Sequence, residues 1–243
     1  MCGITGIYNV QTKQHVDSSV LAKMTASLRH RGPDEEGFFV KGNIGLGMAR
    51  LSIIDLSGGK QPIYNEDKTI CVVFNGEVFN YIELRDFLKA KGHTFYTQSD
   101  TEVIVHLYEE YGEDFPNHIN GQFAIALWDQ KTRQLILARD RVGIRPLFYS
   151  VLEDGTFLFG SEMKAIFCHP GIRAEIDPKG IGQVFTLWAN IPPTTVFKGV
   201  KELAPGHLLT VSPKSINVHQ YWRLRFPDQK DYEDRPLDSM SRD

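Results

Sequence analysis

Cys2 directly follows the initiator methionine. Methionine is removed from chains whose second residue is small, so Cys2 is expected to become the first residue, carrying a thiol and a free α-amine on neighbouring carbons. An α-amine has a pKa of ~7.7–8 and a thiol one of ~8.5, so the amine can take the thiol's proton near neutral pH. One residue then supplies both nucleophile and base. A second-position cysteine also reads as a small apolar residue opening a buried strand, so the rest of the chain has to decide.

Four other positions carry complementary chemistry. Asn75-Gly76 offers a side-chain NH₂ and an unshielded backbone N–H, two donors suited to an oxyanion, although an isolated Asn-Gly is more often a hairpin turn. Arg50 has the planar fork that matches a carboxylate, which lysine does not reproduce. Asp100 stands where a helix begins, a place that favours an acid for dipole reasons alone. Cys71 and Cys168 have apolar neighbours and read as inert core thiols. The eight histidines show no HExxH or other linear ligand spacing, so no metal is expected.

These residues must be held by regular elements. Residues 2–9 read as a strand, and Asp17 as the cap of a helix burying Val20, Leu21, Met24 and Leu28. Strands are expected at 37–42 and 44–51, followed by a long loop over 54–68. The run from Thr69 starts as a strand and is expected to break at Asn75-Gly76. Asn80 with Glu83, and Ser99 with Glu102, resemble capping boxes opening two helices, the second with Val103, Ile104, Leu107, Tyr108 and Tyr111 along one side. Further strands are expected at 121–129, 134–140, 146–151, 156–160 and 194–200, a helix from Pro178 to about Trp188, and a hairpin near 207–219.

Phe123 to Trp128 and Leu135 to Ala138 are apolar at nearly every position, so both faces of these strands are covered although their spacing is that of an antiparallel hairpin. Two antiparallel sheets packed together with helices outside satisfy that requirement, an α+β arrangement.

Length and charge bound the alternatives. The 243 residues suit one large domain, or a domain with a tail. Twenty-seven basic residues against thirty acidic ones give a net charge of −3, and the basic ones form no stripe, so no nucleic-acid partner is expected. There is no run of eighteen apolar residues and no basic flank at the start, so neither a membrane span nor a secretory signal is expected, and the location read from this is cytoplasmic. Three cysteines without CxxC spacing fit a reducing compartment.

Eight ordered segments make the chain recognisable: CGITGIYN at the start, RHRGPDEEG at 29–37, ARLSIIDLSGGKQPI at 49–63, FNGEVFN at 74–80, QSDTEVI at 98–104, NGQFAIALWD at 120–129, ARDRVGIRPLFY at 138–149 and SEMKAI at 161–166. Together they resemble the glutaminase module of glutamine-hydrolysing asparagine synthetases of the B type, within the class II glutamine amidotransferases. The resemblance implies an N-terminal nucleophile hydrolase fold, a four-layer α-β-β-α sandwich, and hydrolysis of the glutamine side-chain amide to glutamate and ammonia. Carried over residue by residue, it makes Cys2 the nucleophile and Asn75 and Gly76 the oxyanion donors. Arg50 would bind the α-carboxylate beside Leu51, Ile53 and Ile54, while Glu77 and Asp100 meet the α-amino end. The RHRGPD turn is expected to organise the wall of the site.

Such synthetases continue into a module that uses ATP, with magnesium, and a pyrophosphate loop of the type SGG-x-DS. Ser57-Gly58-Gly59 mimics its start, but Pro62 prevents the helix such a loop must feed. The expected organisation is therefore a glutaminase domain over 1–222 and a charged connector over 223–243 leading to a synthetase domain, with no cofactor in this chain. The partners this implies are L-glutamine and an ammonia-accepting synthetase domain, whose acceptor is aspartate or another acid. An apolar face left for that domain would also favour a homodimer. The competing expectation is a catalytically silent module that binds glutamine or serves as a scaffold.

Overall fold

The computed structural model describes residues 1–226 and 228, so most of the expected connector lies outside the described residues. Two six-stranded sheets, antiparallel at every pairing, make the centre. The strands are β1 (Gly3–Asn9), β2 (Glu35–Lys41), β3 (Ile44–Arg50), β4 (Ile63–Tyr64), β5 (Ile70–Val78), β6 (Gly121–Asp129), β7 (Gln134–Arg139), β8 (Phe148–Val151), β9 (Thr156–Gly160), β10 (Val200–Glu202), β11 (His207–Val211) and β12 (Ile216–Gln220). The first sheet runs β10-β8-β9-β1-β3-β2 and the second β12-β11-β7-β6-β5-β4. The helices are α1 (Ser18–Ala26), α2 (Tyr81–Ala90), α3 (Glu102–Tyr111), α4 (Met163–Ile166) and α5 (Pro178–Leu187).

Side-chain alternation along the strands sorts the core into layers. On β6, Ala124, Ala126 and Trp128 join Ile4, Tyr8 and Met48 of the first sheet in the central core. The intervening Phe123, Ile125 and Leu127 face the other way, onto Ile104 and Leu107 of α3. Ile7 and Leu158 of the first sheet pack outward on Leu21 and Met24 of α1 and Ile166 of α4. The order is helix, sheet, sheet, helix, which accounts for strands apolar at every position. Small residues at 124 and 126 leave room for large ones opposite, and Tyr8 meets Trp128 edge-on at 5.1 Å. Among the described residues no helix is long and apolar enough to cross a membrane.

Asp17 caps α1 as expected, its carboxylate accepting the Ser19 N–H at 2.8 Å. Other local expectations yield to tertiary partners. β5 does not break at Asn75-Gly76, because β6 offers a paired residue for all nine of its positions, Asn75 opposite Ala124 and Gly76 opposite Phe123. Asn80 makes no capping bond; its amide accepts from Asn120 N–H at 2.9 Å and donates to His118 O at 3.1 Å, joining two loops instead. Glu102 likewise turns away from Ser99 and accepts the N–H groups of Tyr96 and Thr97 at 2.8 and 2.7 Å. α3 is therefore buried from Glu102 to Tyr108 rather than along one side, because the segment leading into it folds over its outer face. The strand expected at 194–200 is reduced to β10 and a single Ile176–Phe197 bridge. There the Thr195 hydroxyl bonds the Phe197 and Val200 carbonyls, a local arrangement that competes with a ladder.

The central core sets a testable magnitude. Leu137 is fully buried between the sheets, so Leu137→Ala is expected to cost about 2–5 kcal/mol in urea unfolding.

Candidate active site

Cys2 lies just ahead of β1, and the Gly3–Ala49 pairing sets it beside Arg50 and Leu51 at the end of β3. The Leu51 N–H donates to Sγ at 3.4 Å, and the thiol lies 3.6 Å from the Leu51 carbonyl. Burial pushes the Cys2 thiol up; the Leu51 N–H, the chain's terminal charge, Arg50 and Arg145 pull against this without cancelling it. The thiol therefore needs a base to become a nucleophile near neutral pH. Its backbone is anchored from the RHRGPD turn: Arg31 Nε donates to the Cys2 carbonyl at 2.9 Å, and Nη1 pairs with Glu162 at 2.9 Å.

The side of the cleft that carries Asn75 and Gly76 is built by strand register. Asp140 N–H donates to the Phe123 carbonyl at 2.9 Å and its carboxylate accepts the Phe123 N–H at 3.2 Å, so the backbone groups of Phe123 face away from β5. Gly76, opposite Phe123, consequently directs its N–H to the other edge of β5, as do Phe74 and Val78. β4 pairs only with Cys71 and Val72 and leaves that edge open. Gln61 Oε1 accepts from Phe74 N–H at 2.7 Å and Asp100 Oδ2 from Val78 N–H at 2.9 Å. The Gly76 N–H is left between them at the cleft. Any side chain at 76 would put Cβ 2.1 Å from the Gln122 carbonyl oxygen, so glycine is required there. Asn75 is 1% exposed, and neither atom of its amide has a partner among the described residues.

Arg50 is 4% exposed, and its fork is already filled. Nη1 donates to Glu35 at 3.1 Å, and Nη2 to the Ile54 and Asp55 carbonyls at 3.1 and 2.8 Å. The arginine thus pins the 51–56 loop, rather than holding both Nη groups free for a ligand as its residue type alone suggested. Asp100 is 5% exposed; burial raises its carboxyl above the ordinary value, the Val78 N–H opposes this, and the Glu77 charge adds to it. Glu77 is exposed and has no side-chain bond among the described residues.

One cleft brings all nine expected site residues together: Cys2, Arg50, Leu51, Ile53, Ile54, Asn75, Gly76, Glu77 and Asp100. Gln61 and Arg145 also line it and were not anticipated. Arg145 lies in a segment that carries the resemblance, but nothing in its sequence context points at a thiol. Gln61 accepts a backbone N–H that β4 leaves unpaired and donates to Thr101 Oγ1 at 3.4 Å, contacts that its sequence neighbours do not announce. Ser57-Gly58-Gly59 feeds β4 rather than a helix, so these residues do not fit a triphosphate loop. Burial pushes the Cys71 thiol up to about 12, as an inert core residue requires.

Comparison with known proteins gives the family and the fold. Residues 1–222 match the family model described as "Glutamine amidotransferase domain". The chain is 42% identical over 228 residues to "Asparagine synthetase [glutamine-hydrolyzing] 3" of Bacillus subtilis (strain 168), covering 92% of this chain and 37% of that protein. It is 45% identical over 166 residues to "Asparagine synthetase [glutamine-hydrolyzing]" of Zea mays, covering 68% of this chain and 28% of that one. The chain thus spans about a third of the length of the curated relatives it matches. In fold it is similar to the glutamine phosphoribosylpyrophosphate amidotransferase of B. subtilis, with a TM-score of 0.65 at 21% identity over 91% of this chain and 49% of that one. A sandwich of two antiparallel sheets, a cysteine at its open end and a family match over nearly its whole described length together place this chain in the class II glutamine amidotransferase family.

Proposed function

We propose that this chain hydrolyses the side-chain amide of L-glutamine and supplies the ammonia to an ATP-dependent synthetase domain, a reading supported by relatives named as glutamine-hydrolysing asparagine synthetases. The observation that carries the reading is the buried Asn75 amide with no partner among the described residues, beside the outward Gly76 N–H and in the same cleft as Cys2. Leaving a buried amide unpaired costs about 1–3 kcal/mol, a penalty that is relieved when a ligand oxygen arrives. Hydrolysis through a thioester creates such an oxygen twice.

In this reading Met1 is removed and the Cys2 α-amine takes the thiol proton. Sulfur attacks the amide carbon, and the amine returns the proton to the departing nitrogen, so ammonia leaves and a thioester remains. The amine then takes a proton from water, hydroxide adds to the thioester carbon, and the thiol leaves with that proton as glutamate is released. Asn75 and Gly76 receive the charge on oxygen in both halves. Arg50 brings positive charge and a fixed 51–54 wall to the α-carboxylate, while Glu77 and Asp100 face the ammonium. The hydrolysis requires no cofactor; ATP and magnesium belong to the synthetase domain, which residues 223–243 connect to the glutaminase. Aspartate is the acceptor favoured by the relatives' names.

Asn75→Ala is expected to lower kcat for ammonia release by about 10²–10³-fold with KM nearly unchanged, in a coupled glutamate dehydrogenase assay. Arg50→Lys should raise KM far more than it lowers kcat, because a lysine can neither hold two loop carbonyls nor keep the wall in place. Cys2→Ala should abolish turnover while calorimetry still detects glutamine. The raised Cys2 thiol also sets a pH dependence: in chain that keeps Met1, alkylation of Cys2 by iodoacetamide at pH 7 should be slower than for an ordinary thiol and rise steadily beyond pH ~8.5. Trimmed chain should form an adduct at Cys2 with the diazo-ketone analogue of glutamine, read by mass spectrometry. No adduct in trimmed chain would favour the silent binding module instead.

A further inference from the structure

Away from the cleft, four side chains from three parts of the chain point their donor atoms at one centre. Glu66 lies on the turn after β4, His93 on the segment between α2 and α3, and His106 and Glu109 on one face of α3. His106 Nδ1 is 3.1 Å from Glu109 Oε2 and 3.5 Å from Glu66 Oε2. His93 Nδ1 is 3.5 Å from Glu66 Oε1 and 3.6 Å from the same Glu109 Oε2. Donor atoms from the four residues all lie within 4.8 Å of one another.

From these distances we infer a binding site for one divalent transition-metal ion, best fitted by zinc, with Glu66, His93, His106 and Glu109 as its ligands. Bonds of 2.0–2.2 Å in tetrahedral geometry place neighbouring ligand atoms about 3.3–3.5 Å apart. The separations of 3.1–3.6 Å straddle that value, Glu66 meeting His106 through Oε2 and His93 through Oε1, and the wider pairs, up to 4.8 Å apart, close by rotation of the carboxylates. The two contacts of His93 Nδ1 are too long and too evenly shared for a hydrogen bond to either carboxylate, so this nitrogen faces a centre rather than a partner. Two carboxylates and two neutral imidazoles would balance the charge of a divalent ion, and imidazole with carboxylate suits zinc better than magnesium or calcium.

The surrounding groups orient these ligands. His93 Nε2 is 3.1 Å from Glu110 Oε1, the outer contact that fixes which ring nitrogen is free to coordinate. His106 is 1% exposed, and its Nε2 is turned towards Glu102 at 3.8 Å. Asn65 Nδ2 donates to Glu109 Oε1 at 2.8 Å, and Thr94 N–H donates to Glu66 Oε1 at 2.8 Å. Only His106 and Glu109 are near each other in sequence, so linear spacing conceals the set and led to the expectation of no metal. A bound ion would tie the turn after β4 and the 91–97 segment to α3, which starts two residues after Asp100.

Imidazole ligands bind a metal without their proton, so binding is measured at about pH 8 and again at about pH 9. Chain stripped with chelator and dialysed against zinc chloride should retain one equivalent by elemental analysis. Cobalt(II) should give the intense visible bands of a tetrahedral site. Cys2→Ser must behave identically, since the terminal amine and thiol are the other chelating pair. Glu66→Gln, at a half-exposed position, and His93→Gln should each weaken binding by at least about tenfold while keeping the native circular dichroism. Zinc should raise Tm in the wild type and not in these variants. Failure of folded wild-type chain to retain zinc overturns the inference, as does retention lost in Cys2→Ser or unchanged in both ligand variants. Each of these outcomes is independent of glutaminase activity.

Discussion

Phe74, Gly76 and Val78 present three N–H groups on one edge of β5, and no strand among the described residues receives them, because β4 ends its pairing at Val72. Buried backbone donors must find partners, and here side chains supply them at the two outer positions, Gln61 at Phe74 and Asp100 at Val78. The middle one stays open. The placement of the cleft depends on this interrupted ladder: had β4 been longer, Gly76 would have been consumed by the sheet.

The same constraint explains why the site is assembled from the ends of strands. Cys2 precedes β1 and Arg50 closes β3, in one sheet; Asn75 and Gly76 lie towards the end of β5 in the other. The central core between the sheets is closed by Tyr8, Trp128 and their neighbours, and the polar cleft begins beyond it. Rigid strands hold the donors, whereas the 51–56 loop is held by one buried guanidinium that takes two of its carbonyls. A site with its donors fixed in advance stabilises developing charge without reorganising as the reaction proceeds.

Polar groups left unpaired inside a protein are destabilising, so their positions carry information. At Asn75 both amide atoms lack partners among the described residues at 1% exposure. On the far side of α3, the Nδ1 atoms of His93 and His106 share two carboxylates at spacings that suit a coordinated ion. Both clusters border the chain between Phe95 and Glu102, which carries Asp100 towards the cleft and covers the outer face of α3.

The sequence by itself determined the layered fold and singled out residues that prove to line one cleft. Strands apolar at every position require cover on both faces, and a second-position cysteine with Arg50, Asn75-Gly76, Glu77 and Asp100 in family-like segments named the cleft before its geometry was known. Tertiary structure decided what each residue does with its hydrogen bonds. Asn75-Gly76 runs on as strand because β6 pairs it throughout; Asn80 and Glu102 leave their helix ends for loops; the Arg50 fork fills with carbonyls. Gln61, Arg145 and the Glu66–His93–His106–Glu109 cluster were not legible at all. The reason is physical: hydrophobic period and residue type are local properties of the chain, whereas the partner of a buried donor or a ligand atom comes from whichever distant segment the packing brings within about 3 Å.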